Sequence, residues 1–145
     1  MKYYTPSRAI IALYRMGQAI LKSKLKELGI SVSYADYLYA IAMKEGRTQQ
    51  DLADVLMVSR AAVTQGVSNL QKNGLIEKVP QDGRTYQLYL TEKGRQIIPE
   101  VFAAFGDLVA LHENALDEDE QKELERLIEK LSRALSDELD AGSHA

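Results

Sequence analysis

The 145-residue chain is 46% hydrophobic and 27% charged, which supplies a packed core and argues against disorder. With no cysteine and two histidines, it excludes disulfide staples, thiolate metal sites and cysteine redox switches, and it offers no histidine-rich metal set. The net charge of −3 hides an asymmetry: residues 117–140 hold ten acidic and four basic residues, so the rest of the chain is net positive and can turn a basic face to phosphate.

In chain order, Thr5-Pro6 reads as a helix start, with threonine capping free amides and proline at the first helical position. Ile10, Ile11, Leu13, Tyr14, Gly17, Ile20, Leu21, Leu25 and Leu28 follow at helical spacing, and Gly29 ends the run. Ser33 is the expected cap of a second helix through Tyr37, Leu38, Ala40, Ile41 and Met43. Thr48-Gln49-Gln50-Asp51 is a capping box with aspartate in place of glutamate, opening a short helix that carries Leu52, Val55 and Leu56. A break at Val58-Ser59 leads into a fourth helix through Ala62, Val63, Val67 and Leu70 to Gly74. The period then changes. Residues 75–79 and 86–90 read as strands, joined by Pro80-Gln81-Asp82-Gly83-Arg84-Thr85, in which Asp-Gly is a strong hairpin signal. Thr91 caps a fifth helix, which Pro99 should kink, and Asp117 to Glu120 open a sixth with a 3-4 stripe of Leu124, Leu127, Ile128, Leu131, Leu135 and Leu139. Met16, Met43 and Met57 read as core filler. No apolar run approaches the roughly 20 residues that span a bilayer, and Met1 to Pro6 lacks a signal-peptide pattern. The expectation is a cytoplasmic protein without a membrane partner.

A short helix, a tight break and a second helix flowing into a hairpin give the winged helix-turn-helix order. The fold class is mainly α with a small β-hairpin wing, flanked by terminal helices. A recognition helix turns its N-terminal half to base edges in the major groove. Here Ser59, Arg60, Ala61, Thr64, Gln65 and Ser68 face outward while Ala62, Val63, Val67 and Leu70 pack inward. Asn69 on the same helix and Gln49 at the start of the preceding one complete the candidate DNA-contacting set on the helices. No acidic residue lies between Val55 and Leu75, as a surface facing a polyanion requires. Arg84 at the hairpin tip suits a narrow minor groove, with Asp82 orienting its guanidinium through a bidentate pair. The terminal helices carry apolar stripes without a compact core of their own and call for a partner surface.

In order and correctly spaced, Thr48-Gln49-Gln50-Asp51-Leu52-Ala53, Val58-Ser59-Arg60-Ala61-Ala62-Val63-Thr64, Leu70-Gln71-Lys72-Asn73-Gly74-Leu75-Ile76-Glu77-Lys78, Asp82-Gly83-Arg84 and Leu90-Thr91-Glu92-Lys93-Gly94-Arg95 make the chain similar to one family. It resembles the multiple antibiotic resistance regulator (MarR) family of bacterial and archaeal repressors over nearly its whole length. The resemblance implies a homodimer that binds a pseudo-palindromic double-stranded DNA operator and is released from it by a small aromatic or anionic effector. Residues 33–106 would form the DNA-binding domain, and 1–32 with 107–145 the dimerisation region. The dimer interface would involve Tyr4, Ile11, Phe105, Leu124, Leu127, Ile128, Leu131 and Leu135.

Three departures from the family pattern stand out. The Lys78–Arg84 loop is about two residues short, Gln65 and Gly83 stand where basic residues are common, and Gly66 replaces a large apolar residue. Gly66 costs a helix about 1 kcal/mol against alanine, and it either lets the helix pack closely or loosens it. Tyr14, Tyr34, Tyr37 and Tyr39 either line an effector cleft, with Arg15 or Lys44 as charge partner, or pack the core edge with their hydroxyls in water. His112 reads as a surface or interface residue, not a metal ligand. No cofactor is expected, and no nucleophile–base pair, metal set or phosphate loop points to an enzyme. The alternative to a DNA-binding regulator is a winged-helix protein-interaction module, suggested by the acidic last helix.

Overall fold

The computed structural model describes residues 5–143, except for the side chain of Ser143; Tyr4 lies outside the described residues. The order is α1 (Pro6–Lys24), a 3-10 turn (Lys26–Leu28), α2 (Val32–Met43), α3 (Gln49–Leu56), α4 (Arg60–Lys72), β1 (Ile76–Asp82), β2 (Thr85–Leu90), α5 (Glu92–Ala115) and α6 (Glu118–Ser143). The chain forms two compact units that meet in sequence between Leu108 and Val109. Among the described residues, no helix is long and apolar enough to cross a membrane.

Most helix starts lie where their capping side chains put them. Thr5 Oγ1 accepts from the Arg8 amide, and Ser59 Oγ accepts from Ala62 at 3.1 Å. The aspartate capping box is complete: Asp51 N donates to Thr48 Oγ1 and Thr48 N to Asp51 Oδ2. Two ends differ from expectation. The first helix stops at Lys24 and tightens into the 3-10 turn before Gly29 turns left-handed at φ 67°, which keeps Leu25 and Leu28 on one core cluster. The second helix is capped two residues early, because Ser31 Oγ, not Ser33, accepts from the Tyr34 amide.

Two apolar clusters hold the first unit together. The larger joins Leu38, Ile41, Leu52, Val63, Val67 and Leu70 of the helices to Ile76, Leu88 and Leu90 of the hairpin. The smaller joins Leu21 and Leu25 to Ala35, Val101 and Ala104. Each buried leucine or valine contributes about 1.5–3 kcal/mol relative to exposure. Gly66 belongs to the tightest contact in the larger cluster. A Cβ there would lie 2.0 Å from Tyr37 Cε2, so glycine admits the Tyr37 ring against α4, and of the two readings of Gly66 close packing holds. The three methionines expected in the core are instead exposed: Met16 by 50%, Met43 by 61% and Met57 by 75%. Met57 ends α3 in the left-handed region (φ 52°), making the sharp turn into α4.

The hairpin is longer than the sequence suggests. Pairing runs from Ile76↔Leu90 to Pro80↔Tyr86 and Asp82↔Thr85, with Gln81 extra on β1, so the connection shrinks to Gly83-Arg84. The Leu88 amide donates away from β1 to the Arg47 carbonyl at 2.8 Å, and Gly46 N donates back to Leu88 O. β2 is thus flanked on both sides, and Pro80, which has no N–H, sits on the outer strand, where none is needed.

Glu45 ties three segments that are distant in sequence. Its carboxylate accepts two bonds from Arg95 (3.0 and 2.8 Å) and one from the Leu90 amide (2.8 Å). Burial pushes the Glu45 carboxyl up, but the Arg95 and Leu90 hydrogen bonds and the Arg95 charge outweigh it and hold it below the usual range. A carboxyl depressed in the folded state stabilises above its unfolded value near 4.3 and loses that contribution as pH falls through the folded value. Glu45→Gln is expected to lower stability by about 1–2 kcal/mol at pH 7, after discounting for the half-exposed Arg95. Denaturant melts at pH 7 and pH 3 should show the gap between variant and parent closing in acid.

A second set of bonds joins the end of α4 to the start of α5. Lys93 Nζ donates to the Asn73 carbonyl at 2.9 Å, and the Thr91 amide donates to Leu75 O at 3.1 Å. A Cβ on Gly94 would lie 2.1 Å from that same Leu75 oxygen. α5 itself runs through Pro99 without interruption.

In the second unit, Asp117 and Glu120 cap α6 reciprocally at 2.9 Å, and Gln121 Nε2 closes the turn onto the Glu113 and Leu116 carbonyls. The stripe residues of α6 are all more than two-fifths exposed, from Leu127 at 42% to Leu135 at 67%.

Candidate nucleic-acid interface

α4 presents the two faces that its sequence encodes. Val63, Val67 and Leu70 are fully buried, whereas Ser59, Arg60, Ala61, Thr64, Gln65 and Ser68 are exposed. Their chemistry is not uniform. The Thr64 hydroxyl turns back to the Arg60 carbonyl at 2.9 Å and lies 3.3 Å from Gln49 Oε1, which links the start of α3 to α4. Thr64 therefore offers a methyl group and a lone pair outward, not a free donor. Asn69 is half-buried, and its Oδ1 accepts from Asn73 at 3.0 Å, leaving its own amide N–H groups unspent among the described residues. Arg60 and Gln65 remain as the long exposed side chains with unspent donors.

At the hairpin tip, the expected Asp82–Arg84 pair does not form among the described residues. The Asp82 carboxylate instead accepts from the Thr85 amide at 3.1 Å and braces the turn, while Gly83 takes φ 45°. An aspartate that satisfies a turn amide is locally committed, and no ion pair joins it to Arg84. Arg84 is exposed and its guanidinium free of carboxylate.

The charge make-up of α4 sets it apart from α2, α3, α5 and α6. Every ion pair among the described residues involves α1, α5, α6 or Glu45: Lys24–Asp107, Arg95–Glu45, Lys122–Glu118, Arg126–Glu123 and Arg133–Glu129. Arg60 and Lys72 of α4 and Lys78 and Arg84 of the hairpin join none of them. Cations elsewhere, among them Arg8, Arg15 and Lys22 of α1 and Lys130 of α6, also stand outside these pairs; α4 itself carries no acidic residue, so Arg60 and Lys72 have no carboxylate on their own helix.

The residues proposed for an effector cleft are placed differently from one another. Tyr37 is 5% exposed and spends its ring on Gly66, so it is a core residue; burial first, then the Asp36 charge, push its hydroxyl up. Tyr14 is 66% exposed on α1, and Arg15 and Lys44 are exposed. Of the interface candidates, Phe105 packs within its own chain, 5.2 Å centroid to centroid from Tyr39, and Ile11 is 51% exposed. Sequence reasoning missed Glu45 and Lys78. Glu45 meets partners 45 and 50 residues away, which no local pattern reveals. Lys78 lies over the Tyr86 ring, 5.9 Å from its centroid, a pairing visible only once the hairpin register is known.

The chain is similar to known transcription regulators in sequence and fold. Residues 28–85 match the model of the MarR family. The HTH-type transcriptional regulator BilQ of Clostridium symbiosum is 29% identical over 114 residues, covering 77% of this chain and 79% of BilQ. A putative MarR family transcriptional regulator from Listeria monocytogenes, solved with a 26mer DNA, superposes with a TM-score of 0.84 at 27% identity, covering 94% of this chain and 92% of that one. S. aureus MepR in its DNA complex shares the fold with a TM-score of 0.85 at 21% identity, over 92% of this chain and 99% of that one.

Proposed function

We propose that this chain, which belongs to the MarR family, is a homodimeric transcription regulator that binds double-stranded DNA with α4 in the major groove and the Gly83-Arg84 tip at the minor groove. The observation that carries this reading is the exposed face of α4, where Arg60 and short polar side chains stand without an acidic residue, together with the unpaired Arg84 at the hairpin tip. Such a surface gains affinity by releasing counterions from DNA, and its short polar side chains can approach base edges. Two recognition helices on a two-fold dimer would meet half-sites one helical turn, about 34 Å, apart. The dimer is supported by the exposed stripe of α6, and release by a small aromatic or anionic effector by family resemblance alone.

The test is fluorescence anisotropy of the protein with DNA from upstream of its own gene, titrated with salt. Binding that exceeds random duplex and weakens steeply with salt is the expected result. Binding equal to random duplex would favour the interaction-module reading. In the same assay Arg84→Ala is expected to weaken binding and reduce the salt slope by about one charge, with little change in melting temperature. Unchanged affinity would mean that the short wing does not reach the groove.

A further inference from the structure

We infer that Lys78, held over the ring of Tyr86, is a second phosphate contact at the base of the wing, working beside the arginine at its tip. This rests on the reading of the chain as a DNA-binding regulator and adds a residue pair to it.

The pairing register puts Ile76, Lys78 and Pro80 on one face of the hairpin, with Leu90, Leu88 and Tyr86 opposite them. At the closed end that face is core: Ile76, Leu88 and Leu90 are buried in the larger cluster. Beyond Leu88 the same face runs out of core and ends in Pro80 and Tyr86, with the Lys78 ammonium over the Tyr86 ring. An ordinary solvated position would leave lysine free in water. Here the ammonium sits 5.9 Å from the Tyr86 centroid on a half-buried side chain, and no carboxylate among the described residues pairs with it. Its neighbour Glu77 lies on the opposite face of the strand, since alternate residues point apart. A cation over an aromatic face keeps its three donors available while losing rotamer freedom, so less ordering remains to be done when an anion arrives. Tyr86, at 46% exposure, is a large aromatic residue left at the surface beside that cation. Lys78 and Arg84 stand at opposite ends of one wing, as two points that could fix the hairpin along a phosphate strand. Lys78 is therefore a contact without base preference, and Tyr86 is a positioning residue that acts through it.

The experiment is the dependence of DNA affinity on salt for the full-length protein and for Lys78→Met, Lys78→Gln and Tyr86→Leu, on operator and random duplexes. Each phosphate contact carries a slope near 0.9, so the deficit of Lys78→Met should be about threefold larger at 50 mM than at 200 mM salt. The loss should be the same factor on both duplexes, because a phosphate contact does not read sequence. Lys78→Gln should repeat it, which covers a folding defect in the methionine variant. Tyr86→Leu should weaken binding by a smaller factor and keep the parental slope, because the charge remains. Parental slopes in both lysine variants, with a parent that binds steeply, would overturn this inference and leave the regulator reading intact. A parent without salt-dependent duplex binding would overturn both.

Discussion

Gly66→Ala is expected to destabilise the protein by about 2–3 kcal/mol, against the usual gain of about 1 kcal/mol when alanine replaces glycine inside a helix. The sign is reversed by one contact. The added methyl would lie 2.0 Å from Tyr37 Cε2 and 2.4 Å from Cδ2, and the ring is 5% exposed, with the larger core cluster around it. Either the ring or α4 must move, and α4 carries the residues proposed to read DNA, so operator affinity should fall with stability. Tyr37→Leu removes the obstructing ring atoms. Combined with Gly66→Ala, it should be less destabilising than the two single changes added, by at least about 1 kcal/mol. Urea melts of the four proteins measure the cycle. A Gly66→Ala protein more stable than its parent would show that the ring swings aside at no cost and that the glycine is not required by packing.

Leu131→Glu is expected to break the dimer and take operator affinity down by at least about a hundredfold, because each half-site is held cooperatively by its twin. Leu131 is 49% exposed in the centre of a stripe where Leu124, Leu127 and Ile128 are exposed to a similar degree. A two-fold interface would bury the new carboxylate twice, each at a cost of several kcal/mol when unpaired. Lys122→Gln makes the same change in net charge on a polar position of α6 and should leave the dimer unaltered. Sedimentation at micromolar concentration separates the outcomes: a dimer surviving in Leu131→Glu would place the interface elsewhere.

The parts of the fold written in local chemistry were legible in the sequence. Thr5, Thr48 with Asp51, and Ser59 each signal a helix start through an amide three residues on, and the structure uses them that way. Val63, Val67 and Leu70 mark the inner face of α4 by spacing alone, and that face leaves Arg60 and Gln65 outside. Legibility failed where a distant partner decides. Ser33 reads as the cap of α2, yet Ser31 takes that place, and Val32, the first helical residue, packs against the smaller cluster. Met57 reads as apolar filler, yet the turn into α4 needs a left-handed residue there and leaves its side chain in solvent. Asp82 and Arg84 look like a pair at a distance of two residues, but the turn amide of Thr85 is nearer to the carboxylate than the guanidinium is. Gly66 leaves two readings in sequence, close packing or a loosened helix, and only the position of Tyr37 decides between them.

The second edge of β2 has a consequence for the timing of motion. The amides of Leu88 and Leu90 point away from the hairpin and are held by Arg47 O and Glu45 Oε1. Their exchange with solvent deuterium therefore does not wait for the two strands to unzip. It waits for the segment ahead of α3 to come away from the wing. Those two protons are a clock for that separation within a single chain, and slowing of their exchange when DNA is added would report that the helices and the wing had been locked together.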